Sequence, residues 1–163
     1  SSVLGGGTSS RLWQEVREKR GLVYSIYSFR DSYADDGQFG VYAGSSPNNL
    51  PELVPIILDE IGKIRNGITD QELARAKTQI ISGSRMSREK VMTRVDQQGR
   101  HMLTYGTPFQ IQELIDSVSA VTADDVATLA QSVFATPLMV SAVGQLKSLM
   151  PVDVMTQRLA AKH

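Results

Sequence analysis

The chain has 163 residues, with 17 basic (Lys and Arg) and 17 acidic (Asp and Glu) residues, so its formal net charge is zero. Such a balance provides no long-range field toward nucleic acid or an anionic membrane, which argues against a nucleic-acid partner. No cysteine is present, and this excludes disulfides and thiolate metal sites. With 41% hydrophobic residues, the chain can form one core, and we expect a single α+β unit.

The beginning of the sequence leads directly into a glycine run, Gly5-Gly6-Gly7, and has neither an initiator Met nor a charged-then-apolar leader. This pattern is typical of the end of an earlier element, so we expect a piece of a longer polypeptide. The longest apolar run, near 54–58, is far shorter than the roughly 20 residues that span a bilayer, which predicts no membrane span.

Apolar periodicity, capping residues and Gly or Pro breaks predict helices and strands along the whole chain. The first part is predicted to contain a short helix that follows N-cap candidates at 8–10 and stops at Gly21, then strands over 22–29 and 39–43 with a turn at 35–37. Helices follow over 50–64 and 70–81, and a weaker helix over 91–105 comes after a break at 83–87. The last elements are short helices over 109–118 and 122–133 and a late strand over 138–143.

Two helix starts carry the Ser/Thr/Asn-x-x-Glu pattern, Asn49 with Glu52 and Thr69 with Glu72. Pro55 lies deep enough in the first of these helices that we expect a kink or a later effective start. Residues 146–163 have weak signals and are predicted to be a frayed or partly helical tail behind a domain of residues 1–145.

Histidines are too few for a catalytic zinc, which takes about three protein ligands, often from a His-x-x-Glu-His helix. Only His101 and His163 are present, and His101 is expected to be a surface or partly packed helix residue. Gly5-Gly6-Gly7 could cradle a phosphate, but it lacks the rest of a phosphate-binding motif, so a flexible or close-packed loop is favoured. Asp35 and Asp36 are read as turn residues ahead of Gly37.

Arg17 and Tyr24 are the candidate site residues. Arg17 lies at the edge of the first helix's apolar stripe, and Tyr24 would share a strand face with Leu22 and Ile26. A tight turn at Gly21 could bring the guanidinium and the phenol to one wall, where they would donate to a peptide carbonyl and to an oxyanion. Spacing alone favours a plainer alternative, in which Arg17 interacts with the negative helix end and Tyr24 is a half-buried strand aromatic.

Residues 4–25, LGGGTSSRLWQEVREKRGLVYS, closely resemble the signature of the C-terminal half of pitrilysin/insulinase-type zinc metallopeptidases, the group that includes the mitochondrial processing peptidases. The similarity continues through 36–39, 42–44 and 68–77 and covers most of the chain to about residue 143. The first block is long and specific, so chance is a poor explanation for it.

This resemblance implies an antiparallel sheet packed against several helices, forming one half of a two-half clamshell. The partner half, in the same polypeptide or a separate subunit, would carry zinc and activate water, while this half would hold no cofactor. Arg17 and Tyr24 match the family's substrate-contacting pair, so the resemblance implies that Arg17 holds a substrate carbonyl and Tyr24 stabilises the oxyanion. Gly5, Gly6 and Gly7 match a loop near substrate and are weaker binding candidates.

One departure from the family pattern concerns the sheet, because the strands and the helix that normally open the domain are missing. An exposed sheet edge could then make a homodimer of the fragment. The main hypothesis is the peptide-binding half of a zinc endopeptidase that cannot cut alone. The alternative is a non-catalytic scaffold or binding subunit of the same fold, and a third hypothesis is a small-ligand domain that uses the glycine loop. The compartment is not determined, although a bacterial periplasm is compatible with the lack of cysteine.

Overall fold

The computed structural model describes residues 1–33 and 35–161. In chain order its elements are α1 (Ser2–Gly5), a π-helix (Trp13–Glu18), β1 (Val23–Ser32), β2 (Gly37–Ser45), a 3₁₀ turn (Pro47–Asn49), α2 (Leu50–Arg65), α3 (Asp70–Ser87), α4 (Val91–Tyr105), α5 (Ile111–Ala120), α6 (Ala123–Val133) and α7 (Val152–Ala160). The antiparallel sheet and the several helices confirm the predicted α+β class. None of the described helices combines the length and apolarity that crossing a bilayer requires.

The elements form two compact units. Unit 1 contains residues 1–68 together with those from 123 onward, and unit 2 contains residues 69–122. In unit 1, β1 and β2 pair as an antiparallel hairpin. The amide of Tyr33 donates to the Asp36 carbonyl over 2.8 Å and the Gly37 amide donates to Asp36 Oδ1 over 2.7 Å, within the connection where the sequence predicts a turn. Buried Ile26 and exposed Tyr27 lie on opposite faces of β1, as neighbouring strand residues do.

Helix α2 supplies the largest share of the unit 1 core, with Leu53, Leu58, Ile61 and Ile64 all buried. Each such side chain contributes about 1.5–3 kcal/mol when it leaves water. The helix runs through Pro55 from its start at Leu50, so the later start expected from this proline is wrong. Burial on both sides of the proline offsets the one backbone hydrogen bond that it removes.

The start of α2 is predicted correctly, but Asn49 plays a different role from the expected cap. Its side chain makes no cap hydrogen bond, and Nδ2 instead donates to the Leu22 carbonyl over 2.9 Å. This bond links the start of α2 to the residue that precedes β1.

The final helix, α7, lies in the tail that was predicted to be frayed or partly helical. The sequence did not predict how this helix packs. Met155 and Leu159 are buried in the unit 1 core. Arg158 donates two hydrogen bonds of 2.7 Å to the two carboxylate oxygens of Asp59 on α2, and this pairing raises the pKa of Arg158. A local sequence pattern cannot predict contacts between residues that lie about a hundred positions apart.

The late strand predicted over 138–143 is wrong, because these residues pair with neither described strand. Met139 and Val143 are 92% and 100% exposed. β-branched residues favour extended backbone, but a strand also needs a partner edge, which propensity does not report.

Unit 2 consists of α3, α4 and α5. Thr69 and Glu72 form the predicted capping box: Thr69 Oγ1 accepts from the Glu72 amide and Glu72 Oε2 accepts from the Thr69 amide. Helix α4 ends at Gly106 in the left-handed conformation, as predicted. The break expected at 83–87 lies instead at 88–90, because a single helical glycine, Gly83, costs only about 1 kcal/mol.

Replacing Met155 with Ala should lower the free energy of unfolding of the chain by about 2–5 kcal/mol, because it opens a cavity in the core beneath α7. Urea denaturation followed by circular dichroism measures this change. The matched control is Val154→Ala on the same helix, where the side chain is 41% exposed and the expected change is within about 0.5 kcal/mol. Equal effects of the two substitutions would contradict the packing of α7 in the core.

Candidate functional site

The first site element is the π-helix, whose wide turn is closed by a hydrogen bond of 3.1 Å from the Lys19 amide to the Gln14 carbonyl. Leu12 and Val16 have no solvent exposure and fix one side of this segment in the core. Single-turn π-helices are rare and occur frequently at functional sites. Helical backbone begins at Arg11, directly after the N-cap candidates at 8–10, and the Ser10 carbonyl accepts from the Gln14 amide over 3.0 Å. Ser10 Oγ donates to the Gly7 carbonyl over 2.6 Å.

Arg17 lies on the exposed side of the π-helix and stacks on Trp13. Its guanidinium carbon is 4.1 Å from the centroid of the indole ring, which is a cation–π contact. The indole N–H in turn donates to Glu18 Oε1 over 2.9 Å. The stacked guanidinium donates no hydrogen bond to any described residue, so its five N–H groups are available to a ligand.

The neighbouring basic residues are already paired. Glu15 accepts from Lys19 and, over 2.8 Å, from Arg20 Nη1, and these bonds hold the pKa of the Glu15 carboxyl below its usual value. Within the described part of the chain, no carboxylate forms an ion pair with Arg17. Of the three cations Arg17, Lys19 and Arg20, Arg17 is therefore the one that has no carboxylate partner among the described residues.

A turn at Gly21 connects the π-helix to β1. Gly21 has φ +62, a left-handed conformation that costs glycine little, which accounts for the predicted helix end. The Gly21 amide donates to the Arg17 carbonyl and the Leu22 amide donates to the Val16 carbonyl, both over 3.0 Å. The turn therefore fixes the backbone of Arg17 relative to the start of β1.

Tyr24 occupies a β-bulge. Val23 pairs with Ser45 and Ser25 pairs with Gly44, so Tyr24 is an additional residue on β1. A bulge re-aims side chains. Tyr24 is 76% exposed while Ile26 is buried, so the expectation that Tyr24 shares a face with Leu22 and Ile26 is wrong. The plainer alternative of a half-buried strand aromatic is wrong as well, and no described residue forms a hydrogen bond with the Tyr24 hydroxyl.

The glycine run has a packing explanation at its first two positions. A Cβ on Gly5 would lie 2.4 Å from the Ser28 amide nitrogen, and a Cβ on Gly6 would lie 2.5 Å from Ser2 Cα. Gly7 is exposed and has φ 150. Of the flexible or close-packed loop favoured from the sequence, close packing holds at Gly5, the last residue of α1, and at Gly6. Gly7 is the member of the run with the most open surface.

The described residues include no group of three His, Asp or Glu side chains that could hold a metal ion. His101 lies on α4 with Nδ1 2.8 Å from the Thr107 carbonyl oxygen. Its ring contacts those of Tyr105 and Phe109 at centroid distances of 4.7 and 5.5 Å, so it is partly packed, as predicted. His163 lies outside the described residues.

Comparisons with known proteins agree with this architecture. Residues 1–80 match the family model described as the peptidase M16 inactive domain. The chain is 38% identical over 148 residues to an uncharacterized zinc protease of Streptomyces coelicolor, a match covering 90% of this chain and 32% of that protein. The chain therefore spans about a third of the length of the curated relatives it matches.

Solved structures support the same class. The peptidase M16 inactive domain from Pseudomonas fluorescens has a TM-score of 0.66 and 26% identity, covering 80% of this chain and 32% of that one. A chain of complex III2 from Candida albicans has a TM-score of 0.82 and 21% identity, and the match covers 98% of this chain and 38% of that one. At this identity the similarity shows a shared fold and nothing about function.

The fold and the matched segment define the class of this protein as the non-zinc half of a zinc-protease-like fold. The chain belongs to the peptidase M16 family, within its inactive-domain group, which confirms the resemblance to pitrilysin/insulinase-type peptidases.

Replacing Gly5 with Ala should destabilise unit 1 by several kcal/mol, because the new methyl group would collide with the backbone of β1 at Ser28. Thermal unfolding measures the change. Gly83→Ala is the opposite case: Gly83 lies within α3 with open space around it, and the substitution should be neutral or stabilise by about 0.5–1 kcal/mol. An unaltered melting temperature for Gly5→Ala would contradict the packing explanation.

Proposed function

We propose that this chain is the substrate-orienting half of a zinc metalloendopeptidase, in which Arg17 binds a peptide carbonyl and Tyr24 donates a hydrogen bond to the oxyanion that develops during hydrolysis. The observation that carries this proposal is the pair of exposed, unsatisfied donors on either side of the Gly21 turn. Family membership and the zinc-protease relatives give the chemistry in which such donors are used.

Arg17 suits a carbonyl-binding role because it is held in place without using its donors. Stacking on Trp13 engages the face of the guanidinium and leaves its N–H edge available. Trp13 is itself fixed by Glu18, so the side chain loses less conformational freedom when a ligand binds. Such preorganisation is what a residue that positions substrate requires.

Tyr24 suits oxyanion stabilisation because the bulge turns its phenol away from the core. A hydroxyl with no internal acceptor can donate to charge that develops on a substrate oxygen, which is worth more in the transition state than in the ground state. Both candidate residues therefore lie on irregular backbone, a π-helix and a bulge, and both kinds of irregularity occur frequently next to functional sites.

Zinc does not fit the described residues of this chain, and no metal-dependent step is assigned to it. The proposal places zinc in a partner half, either in the same polypeptide or in a separate subunit. Within such an assembly this chain binds the peptide and orients it, and the Tyr24 hydroxyl donates a hydrogen bond to the oxyanion. Gly7, with Gly5 and Gly6 behind it, is a weaker candidate for contact with the peptide backbone.

Tyr24→Phe in the complete protein should lower kcat for peptide cleavage by about 10²-fold or more, because the substitution removes one oxyanion donor and keeps the ring. Steady-state kinetics, with zinc content and folding checked, measures this. Tyr33→Phe is the matched control, since Tyr33 is also exposed and lies beyond the end of β1.

An unchanged kcat for Tyr24→Phe would contradict the proposed oxyanion contact. If the wild-type protein showed no zinc-dependent cleavage while it still bound peptide, the scaffold or binding subunit would become the better description.

Arg17 can be tested through Trp13, the only tryptophan in the sequence. Peptide binding at the guanidinium should change the Trp13 fluorescence of the wild-type chain in a saturable way, because the cation lies directly over the indole. Arg17→Met should abolish this change and raise the peptide Kd by about tenfold, the equivalent of one charge-assisted hydrogen bond. Arg20→Met is the control, since Arg20 is paired with Glu15. Equal responses of the two variants would contradict the assignment.

A further inference from the structure

The solvent face of the hairpin carries a cluster of aromatic rings that the proposed chemistry does not use. Tyr27, Phe29 and Tyr42, called here the aromatic platform, are 46%, 38% and 47% exposed. The rings of Tyr27 and Tyr42 stack with a centroid distance of 5.0 Å, and those of Tyr27 and Phe29 lie 6.5 Å apart. Exposed apolar surface gathered in one patch frequently marks a binding site.

The register explains why these rings share a face. Tyr27 pairs directly with Tyr42, and Phe29 pairs with Gly40. A Cβ on Gly40 would lie 2.3 Å from the Phe29 ring, so the glycine makes room for the far edge of this ring over β2. A side chain at position 40 would occupy the place that the Phe29 ring takes.

The aromatic platform reaches the strand pair next to Tyr24. A Cβ on Gly44 would lie 3.4 Å from the Tyr42 hydroxyl, so the far end of Tyr42 reaches the cross-strand partner of Ser25. Ser25 is the residue that follows Tyr24 in the chain. The aromatic platform therefore runs from Phe29 to the strand pair that lies beside the bulge at Tyr24.

The chemistry of this face favours an uncharged occupant. The three cross-strand pairs that make up the face, Ser25 with Gly44, Tyr27 with Tyr42 and Phe29 with Gly40, contain no charged side chain. The next pair along, Asp31 with Gln38, is internally satisfied, since Gln38 Nε2 donates to Asp31 Oδ2 over 2.7 Å.

We infer that the aromatic platform determines substrate specificity by binding an aromatic or long apolar side chain of the peptide whose scissile carbonyl lies at Tyr24; this inference rests on the proposed function. An extended peptide advances about 3.3 Å per residue, the same rise as β1. A peptide that runs along β1 therefore reaches Tyr27 about three residues from the bond at Tyr24. The specificity position is accordingly two or three residues from the scissile bond.

The test uses the complete protein and peptides of one length that carry Phe, Ala or Lys at single positions up to four residues from the scissile bond. We expect kcat/KM for Phe to exceed that for Ala by about five- to tenfold at one position, two or three residues away, which is the size of a single aromatic contact. Tyr42→Ser should reduce this Phe-to-Ala ratio to about one. Tyr33→Ser, an exposed tyrosine outside the aromatic platform, should keep it.

The ratio keeps the test valid even if a variant is partly unfolded, because a smaller folded fraction lowers both rates equally. Gly40→Ala provides a second variant, since the added methyl group must displace the Phe29 ring and should lower the ratio as well. A preference for Lys, or a ratio that Tyr42→Ser leaves unchanged, would overturn the inference.

Failure of the inference can be told apart from failure of the proposed function. If Tyr24→Phe lowers turnover while Tyr42→Ser leaves the Phe-to-Ala ratio intact, only the aromatic platform is wrong. If Tyr24→Phe has no effect on turnover and Tyr42→Ser abolishes the ratio, the aromatic platform binds substrate and the oxyanion role of Tyr24 is wrong.

Discussion

The turn at Gly21 is the constraint on which the candidate site depends. Its left-handed backbone allows the amides of Gly21 and Leu22 to close back on the carbonyls of Arg17 and Val16, so the π-helix ends and β1 begins within a few residues. A residue with a Cβ would strain at this φ. Without this turn, the guanidinium and the phenol would lie on two elements whose directions are unrelated.

Core contacts hold the irregular backbone on both sides of this turn. Leu12 and Val16 are wholly buried beneath the π-helix, Leu4 is almost so, and the Asn49 side chain holds the carbonyl of Leu22 at the strand entry. These contacts fix the local conformation of the π-helix and of the entry to β1. The core therefore serves the site directly, because it fixes the two elements that carry the exposed donors.

The outer face of unit 1 divides into two kinds of surface with different physical roles. In the proposed function, Arg17 and Tyr24 provide directional donors to oxygen atoms of the peptide, and the strength of these hydrogen bonds depends on geometry within a few tenths of an ångström. The aromatic platform presents apolar area, which acts through burial and tolerates small displacements. A protein that orients peptides needs both, since hydrogen bonds alone do not distinguish one side chain from another.

Sequence alone determined the class of this protein and most of its local structure. The capping box at Thr69 and the end of α4 at Gly106 depend on interactions within a few residues, and both were predicted from the pattern, as was the α+β class. Family resemblance likewise selected Arg17 and Tyr24, because their spacing is a property of the sequence.

Tertiary structure decided what local patterns do not contain. The bulge at Tyr24 arises from the register with β2, the docking of α7 includes the distant pair Arg158 and Asp59, and residues 138–143 pair with neither β1 nor β2. Each outcome concerns contacts between residues far apart in the chain. Periodicity and propensity report only neighbours, so the direction of a side chain and the docking of an element became known only from the fold.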